Sequence, residues 1–291
     1  MLYHAVLGGL VYGLYFTLVG LGLNLMFGVM RIVNLAHGDV IMLGAYAAWA
    51  LFTTWAVHPL LAAVAILLAF TALGIPVYYL IVPRLLRARD AEMLSLILFF
   101  GLQQIIEAAA TIAFGTTERS IPGRVLGHHP VRILGQVLPA AWVWAGAVSA
   151  VCVAALYLYL YHSPAGMLTR AVMSNREEAK ASGIDVDRVC SLAFGIALAL
   201  AGIAGVFAPF MLGSVTPAIG PDLNIAAFAV IVIGTLGNPI GTVLGGIIYG
   251  VSLMLMQTYL SAWANLLPNL LLIAVLLVRP SGLLGRRVRR A

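Results

Sequence analysis

The run from Leu2 to Met30 contains no charged residue, and neither does the run from Leu60 to Val82. Stretches of this length exceed what a soluble core needs and match the ~20 apolar residues a helix requires to cross a hydrocarbon layer about 30 Å thick. Composition agrees. Only 9% of the 291 residues are charged and 63% are hydrophobic, whereas a soluble domain carries about 25% charged residues. So few charges cannot build a water-facing surface. The chain is expected to be an all-α, polytopic bundle of about nine spans (eight to ten fit), forming one transmembrane domain over 1–291.

The spans fall at about 5–29, 39–56, 60–82, 93–114, 140–161, 190–213, 222–236, 242–260 and 264–279. With the N-terminus outside, the cytoplasmic segments hold Arg31; Arg84, Arg87 and Arg89; Arg170, Arg176, Lys180 and Arg188; and Arg279, Arg286, Arg287, Arg289 and Arg290. These are thirteen of the sixteen basic residues, leaving Arg119, Arg124 and Arg132 in one external loop. The positive-inside rule therefore sets the N-terminus outside and the C-terminus in the cytoplasm. Met-Leu-Tyr-His-Ala carries no positive n-region, and no A-x-A-like cleavage site follows, so the first run is read as a retained span.

The net charge of +6 does not point to nucleic acid, because the basic residues sit in short loops between spans and not around aromatics in a folded polar region. Cys152 and Cys190 are far apart and match no metal or redox spacing. His37 and Asp39, two apart, are not a metal ligand set. No phosphate-binding Gly-rich loop and no catalytic constellation is present. The reading is therefore no enzyme, no cofactor, no metal and no catalytic residue.

Two segments depart from simple helix. Arg31-Ile-Val-Asn-Leu-Ala-His-Gly-Asp39 and Gly237-Asn-Pro-Ile-Gly241 each carry Asn and Gly near a break, which predicts broken or re-entrant passages and hints at two halves repeated in the same orientation. A broken helix leaves backbone groups to be satisfied by protein or by a watery cavity. Asn34, His37, Asp39 and Asn238 thus either fasten the breaks or line a path. Gln103 and Glu107, four apart, share a helical face, and Glu107 is the one acid expected well inside a span. It lines a pathway or makes an interhelical hydrogen bond. Asn24 is placed to bond across helices. Gly195, Gly202, Gly205, Gly241, Gly245, Gly246 and Gly250 suit close helix approach within the bundle. Trp49, Trp55, Trp142, Trp144 and Trp263 suit an interfacial belt.

The longest cytoplasmic segment, 162–188, has room for a helix of its own. Asn175 is a suitable N-cap with Glu177 and Glu178 in the following turn, and Gly183 can stop it. Such a helix either docks in a soluble partner's groove or is a solvated linker.

The stretch Glu177-Glu-Ala-Lys-Ala-Ser-Gly-Ile-Asp185 resembles the Glu-Ala-Ala…Gly loop of ATP-binding-cassette (ABC) importer permeases, although Lys180 stands where a small residue is common. Asn34-Leu-Ala-His-Gly-Asp39 with Met42-Leu-Gly-Ala-Tyr46, Ile231 through Gly246, and Val278-Arg-Pro-Ser-Gly-Leu-Leu-Gly285 are similar to one permease type of the branched-chain amino acid importers. The resemblance runs in order over nearly the whole chain. It implies a bacterial inner (plasma) membrane permease subunit that forms the path for a branched-chain amino acid or related small solute. Two ATP-binding subunits would sit below it, a second permease, a sister chain, beside it, and a periplasmic solute-binding protein above. Segment 162–188 would be the coupling loop, with Arg176, Glu177, Glu178, Ala179 and Gly183 meeting the ATPase. The family also includes permeases for urea, amides and, more distantly, sugars. A self-sufficient secondary transporter or channel competes, but it requires ion ligands in the spans and leaves the cytoplasmic helix without a task.

Overall fold

The computed structural model describes residues 2–133 and 135–285; the expected cytoplasmic Arg286, Arg287, Arg289 and Arg290 lie outside the described residues. The chain is helical almost throughout. α1 spans Leu2–Met30, α2 His37–Trp55, α3 Pro59–Leu86, α4 Ala91–Phe114 and α5 Ala140–His162. Two short helices follow, α6 (Pro164–Ser174) and α7 (Arg176–Ala181). Then come α8 (Val186–Leu212), α9 (Gly220–Gly234), α10 (Pro239–Tyr259) and α11 (Leu267–Val278). Each of the nine expected spans coincides with one of these helices. Among the described residues eight of these segments are long and apolar enough to cross a membrane; the exception is α2, which opens on His37, Gly38 and Asp39. The loop from Gly115 to Pro139 holds a single turn of 3-10 helix and a hairpin of β1 (Val131–Ile133) and β2 (Gln136–Leu138).

α1 and α8 form the centre and are buried along most of their length, while α3, α4, α5 and α11 turn wide apolar faces outward. Hydrophobicity does not select the centre, since all these helices are apolar and lipid is as apolar as leucine; small residues do. α1 lies backbone to backbone on α10, where a Cβ on Gly250 would strike Gly13 and one on Gly246 would strike Thr17. α8 packs in the same way on α3, with Gly74 against Gly195 and Gly202 against Phe70.

These two contacts reveal the architecture. α1 packs on α10 as α8 packs on α3, and α2 packs on α8 as α9 packs on α1. Helices α1–α4 thus correspond to α8–α11, related by inversion. The expectation of halves in the same orientation is corrected: α1 and α8 run antiparallel, with Tyr12 donating to the Met211 carbonyl (2.5 Å) at one end and Gly22 against Ala197 further along. The partner of the 31–36 break is accordingly residues 213–219 and not 237–241. After α1 the chain leaves helix at Arg31 (φ 53°) and climbs back beside α1 to start α2 at His37. After α8 it turns at Gly213 (φ 89°) and re-enters to start α9 at Gly220. The two half-helices meet N-terminus to N-terminus, so closely that a Cβ on Gly38 would fall on the Gly220 carbonyl. The 235–238 segment is a tight turn at the other end of α9, with Thr235 at φ 122° and Gly237 at φ 75°.

Candidate functional site

Three regions hold the polar residues singled out in the sequence. The first is the α6–α7 arm. Ser163 caps α6, accepting from the Gly166 amide at 2.9 Å, and Pro164 supplies a first-turn residue that needs no donor. Asn175 ends α6 and caps α7, accepting from the amides of Glu177 (3.0 Å) and Glu178 (3.3 Å) while its own amide reaches the Glu178 carboxylate at 2.6 Å. At the far end Ile184 N–H returns to the Ala179 carbonyl (3.1 Å) and Gly183 N–H to that of Lys180 (3.0 Å). This is a Schellman motif with Gly183 left-handed at φ 82°. Six residues are too few to be stable as free helix; the two caps hold them.

α7 has two unlike sides. Ala179 is buried against the bundle, and Arg176 turns inward to pair with Asp187 at 3.7 Å, which also accepts from Tyr78 of α3 at 2.9 Å. Lys180 and Glu178 face water. The sequence assigned all five residues to one partner-facing set; the structure separates Arg176 and Ala179, which tie α7 down, from the exposed remainder. Met173 of α6 reaches over Gly28 of α1, and Gly28 abuts Gly237 of the 235–238 turn. That turn is clamped from α1 by Asn24, which accepts from Gly237 N–H at 2.5 Å and donates to the Asn238 carbonyl at 2.9 Å and to the Thr242 hydroxyl. Asn238 in turn caps α10 through the amides of Ile240 and Gly241. An unbroken series of contacts therefore joins the arm to the central helices.

The second region is the meeting of the half-helices. Asn34, His37 and Asp39 are all buried. Asn34 holds the Ala36 amide at 3.0 Å, and His37 Nε2 lies 3.0 Å from the Val19 carbonyl in mid-α1, so both fasten the break. Asp39 does not. Neither carboxylate oxygen has a hydrogen-bond partner among the described residues, and the group lies against Gly220. Two helix N-termini converge there, each carrying about half a positive charge, and a carboxylate between them answers both. Asn224 on the facing turn of α9 also has an unpartnered carbonyl oxygen. Glu107 is therefore not the one acid deep in the bundle. The sequence singled out Asp39 at the break, and the re-entrant path of 31–36 places it unpartnered where the half-helices meet.

The third region is α4. Gln103 is buried and Glu107 half-buried, while Gln104 is exposed on an otherwise apolar surface. Glu107 has no hydrogen-bond or ion-pair partner among the described residues; its backbone carbonyl alone is engaged, by Thr111. Gly101 above it faces open space. Beyond the C-terminal end of α4, Arg119 lies over Trp49 at 4.7 Å, and its backbone pairs with Val215 of the second re-entrant loop. Among the described residues no cluster of His, Cys, Asp and Glu could hold a metal ion.

A bundle of inverted halves with discontinuous helices meeting at its centre defines a class, the multi-pass membrane transport proteins. Within it the chain belongs to the family described as branched-chain amino acid transport system permease components, which it matches over residues 5–276. It is 28% identical to the high-affinity branched-chain amino acid transport system permease protein LivH of Escherichia coli K12, over 96% of this chain and 94% of that one. It is equally similar, 28%, to the corresponding permease BraD of Pseudomonas aeruginosa, over 97% and 95%. It is 26% identical to the probable permease LivH of Methanocaldococcus jannaschii, over 96% and 91%. No solved structure matches the chain significantly.

Proposed function

We propose that this permease forms the translocation path of an ABC importer for branched-chain amino acids or a closely related small solute, with ATP hydrolysed on separate subunits. The observation that carries the reading is α7: a six-residue helix, capped at both ends, tied to α8 through Arg176–Asp187 and open to water on its other side. A helix built with this rigidity at the end of a bundle serves to transmit a push. Glu177, Glu178 and Gly183 shape the surface that an ATP-binding subunit grips, while Arg176 and Ala179 pass displacement to α8. Met173, Gly28 and the Asn24 clamp pass it to α1 and α10.

In this reading residues 1–291 are one domain and 162–188 its coupling loop. The arm is cytoplasmic, the N-terminus external and the protein resident in a bacterial inner membrane. A second permease, a sister chain, covers the polar strip of α4, because Gln104 and Glu107 facing hydrocarbon would cost several kcal/mol each. Gln103 and Glu107 then border the path between the two chains, and a periplasmic binding protein delivers the solute at the outer loop. Asn34, His37, Asp39 and Asn238 set the helix breaks around which the halves move.

Reconstitution tests this. Vesicles containing the chain with the subunits that copurify with it should accumulate leucine only when ATP and a binding protein are both supplied. Accumulation by the chain alone under an ion gradient would overturn the reading.

A further inference from the structure

Beside α9 lies a half-open cavity of about 390 Å³ between α1, α9, α10, the 261–266 turn and α11, within the size range of small-molecule sites. Its wall is apolar, with the rings of Phe16 and Tyr249 edge to face at 4.6 Å and Leu223, Ala226 and Leu253 around them. Its other side is polar. Asp222, Gln257, Asn265 and Asn269 all line it; all four are exposed, and none has a hydrogen-bond or ion-pair partner among the described residues. Because α9 starts in mid-bundle, Asp222 is not at a membrane boundary, where the sequence placed the start of the seventh span. It lines the same cavity as Phe16, the middle residue of α1.

Four unpartnered polar groups of this kind do not face a lipid tail, which would leave each of them unsatisfied. They also differ chemically. Asp222 brings a negative charge with no cation near it, whereas the three carboxamides bring N–H donors and carbonyl acceptors. We infer that this cavity is a solute site within a single permease chain, and that its ligand is a small zwitterion with a branched or straight aliphatic side chain. The ammonium group meets Asp222, the carboxylate takes the amide donors of Gln257, Asn265 and Asn269, and the aliphatic end lies on Phe16 and Tyr249. The site deepens the transport reading and rests on it. It would hold the solute beside half-helix α9, whose first turn touches α2, so a change in how the two half-helices meet would alter the site directly.

The test is equilibrium binding of radiolabelled L-leucine to the full-length chain in lipid nanodiscs. 3-Methylbutylamine (no carboxylate) and 4-methylpentanoate (no ammonium) serve as competitors. Asp222→Asn should weaken leucine binding roughly 10- to 100-fold, the range for a hydrogen bond to a charged group, and should abolish the advantage of the amine over the acid as competitor. Ala226→Phe, which fills the cavity without touching the charge, should abolish binding. Both variants must elute as the parent does. The inference is overturned by leucine binding unchanged in both variants, by no leucine binding to the parent, or by a lipid in the cavity that leucine does not displace. ATP-driven uptake separates the two claims. Parental uptake rates in both variants would remove the site and leave the transport reading intact, whereas no ATP-driven uptake by the parent would remove the transport reading itself.

Discussion

At the break before α2, residues 31–36 are held from within. His37 reaches the Val19 carbonyl in mid-α1, Asn34 folds onto the Ala36 amide, and everything involved is buried. At the inverted counterpart before α9, residues 213–219 are held from outside. Val215 pairs with the backbone of Arg119, and the Ser214 hydroxyl donates to Glu118 at 2.9 Å, both partners belonging to the exposed loop after α4. The same topological device is thus internal at one end of the bundle and dependent on a surface loop at the other. A partner on the α7 side can act on its break only through α6, α7 and α1. A partner on the loop side can touch the fastening of its break directly. The halves are alike in path and unlike in how they can be moved.

The comparison breaks most severely at the contact both halves share. Gly220→Leu drives a side chain into Asp39 and Gly38, where the loss should exceed the 1–3 kcal/mol usual for overpacking, since backbone and a carboxylate must give way. No monodisperse protein should be recovered in detergent. Gly101→Leu, facing open space, should be recovered normally, and equal yields would refute the idea that the half-helices are locked together. Next in size is the arm. Glu177→Lys with Glu178→Lys, or Gly183→Pro, should abolish coupled uptake in reconstituted vesicles at unchanged protein level; in the second, proline cannot adopt the φ of 82° found there. Unaltered coupling would return α7 to the status of a linker.

The two fastenings should then differ in strength. His37→Ala leaves a buried void and frees the Val19 carbonyl, and it should cost about 2 kcal/mol. Arg119→Ala loses a half-buried cation–π contact with Trp49 and a hydrogen bond to the Phe114 carbonyl, together about 1 kcal/mol, while its backbone pairing to Val215 survives. Thermal midpoints in one detergent give the ranking, and an Arg119 effect equal to that of His37 would erase the distinction drawn between the two breaks. The smallest change concerns Glu107→Gln, which keeps the shape and polarity of a side chain that has no partner within the chain. Its midpoint should move by less than about 0.5 kcal/mol, and a larger shift would show that Glu107 fastens helices within the chain.

Length and charge were enough to determine the membrane, the helices and their number. Hydrocarbon admits only segments that satisfy their own backbone, and this makes apolar runs legible one at a time. Local chemistry was equally open to reading. Asn175, Glu177 and Gly183 cap and stop α7 by contacts with near neighbours, and Asn24 was recognisable as a polar group that needs a partner across the bundle. What stayed hidden depends on depth and on pairs distant in sequence. The inverted relation of α1–α4 to α8–α11 joins helices far apart in sequence, and its one local trace, an Asp as the third residue of both α2 and α9, does not by itself reveal it. Asp39 and Asp222 stood at the starts of expected spans; a break was legible at 31–39, but that residues 213–219 form its inverted counterpart was visible only in the fold. Which helices became the core was likewise a tertiary matter. Between lipid and protein there is no hydrophobic preference to read, so the choice fell to close approach at glycines whose partners lie a hundred residues or more away.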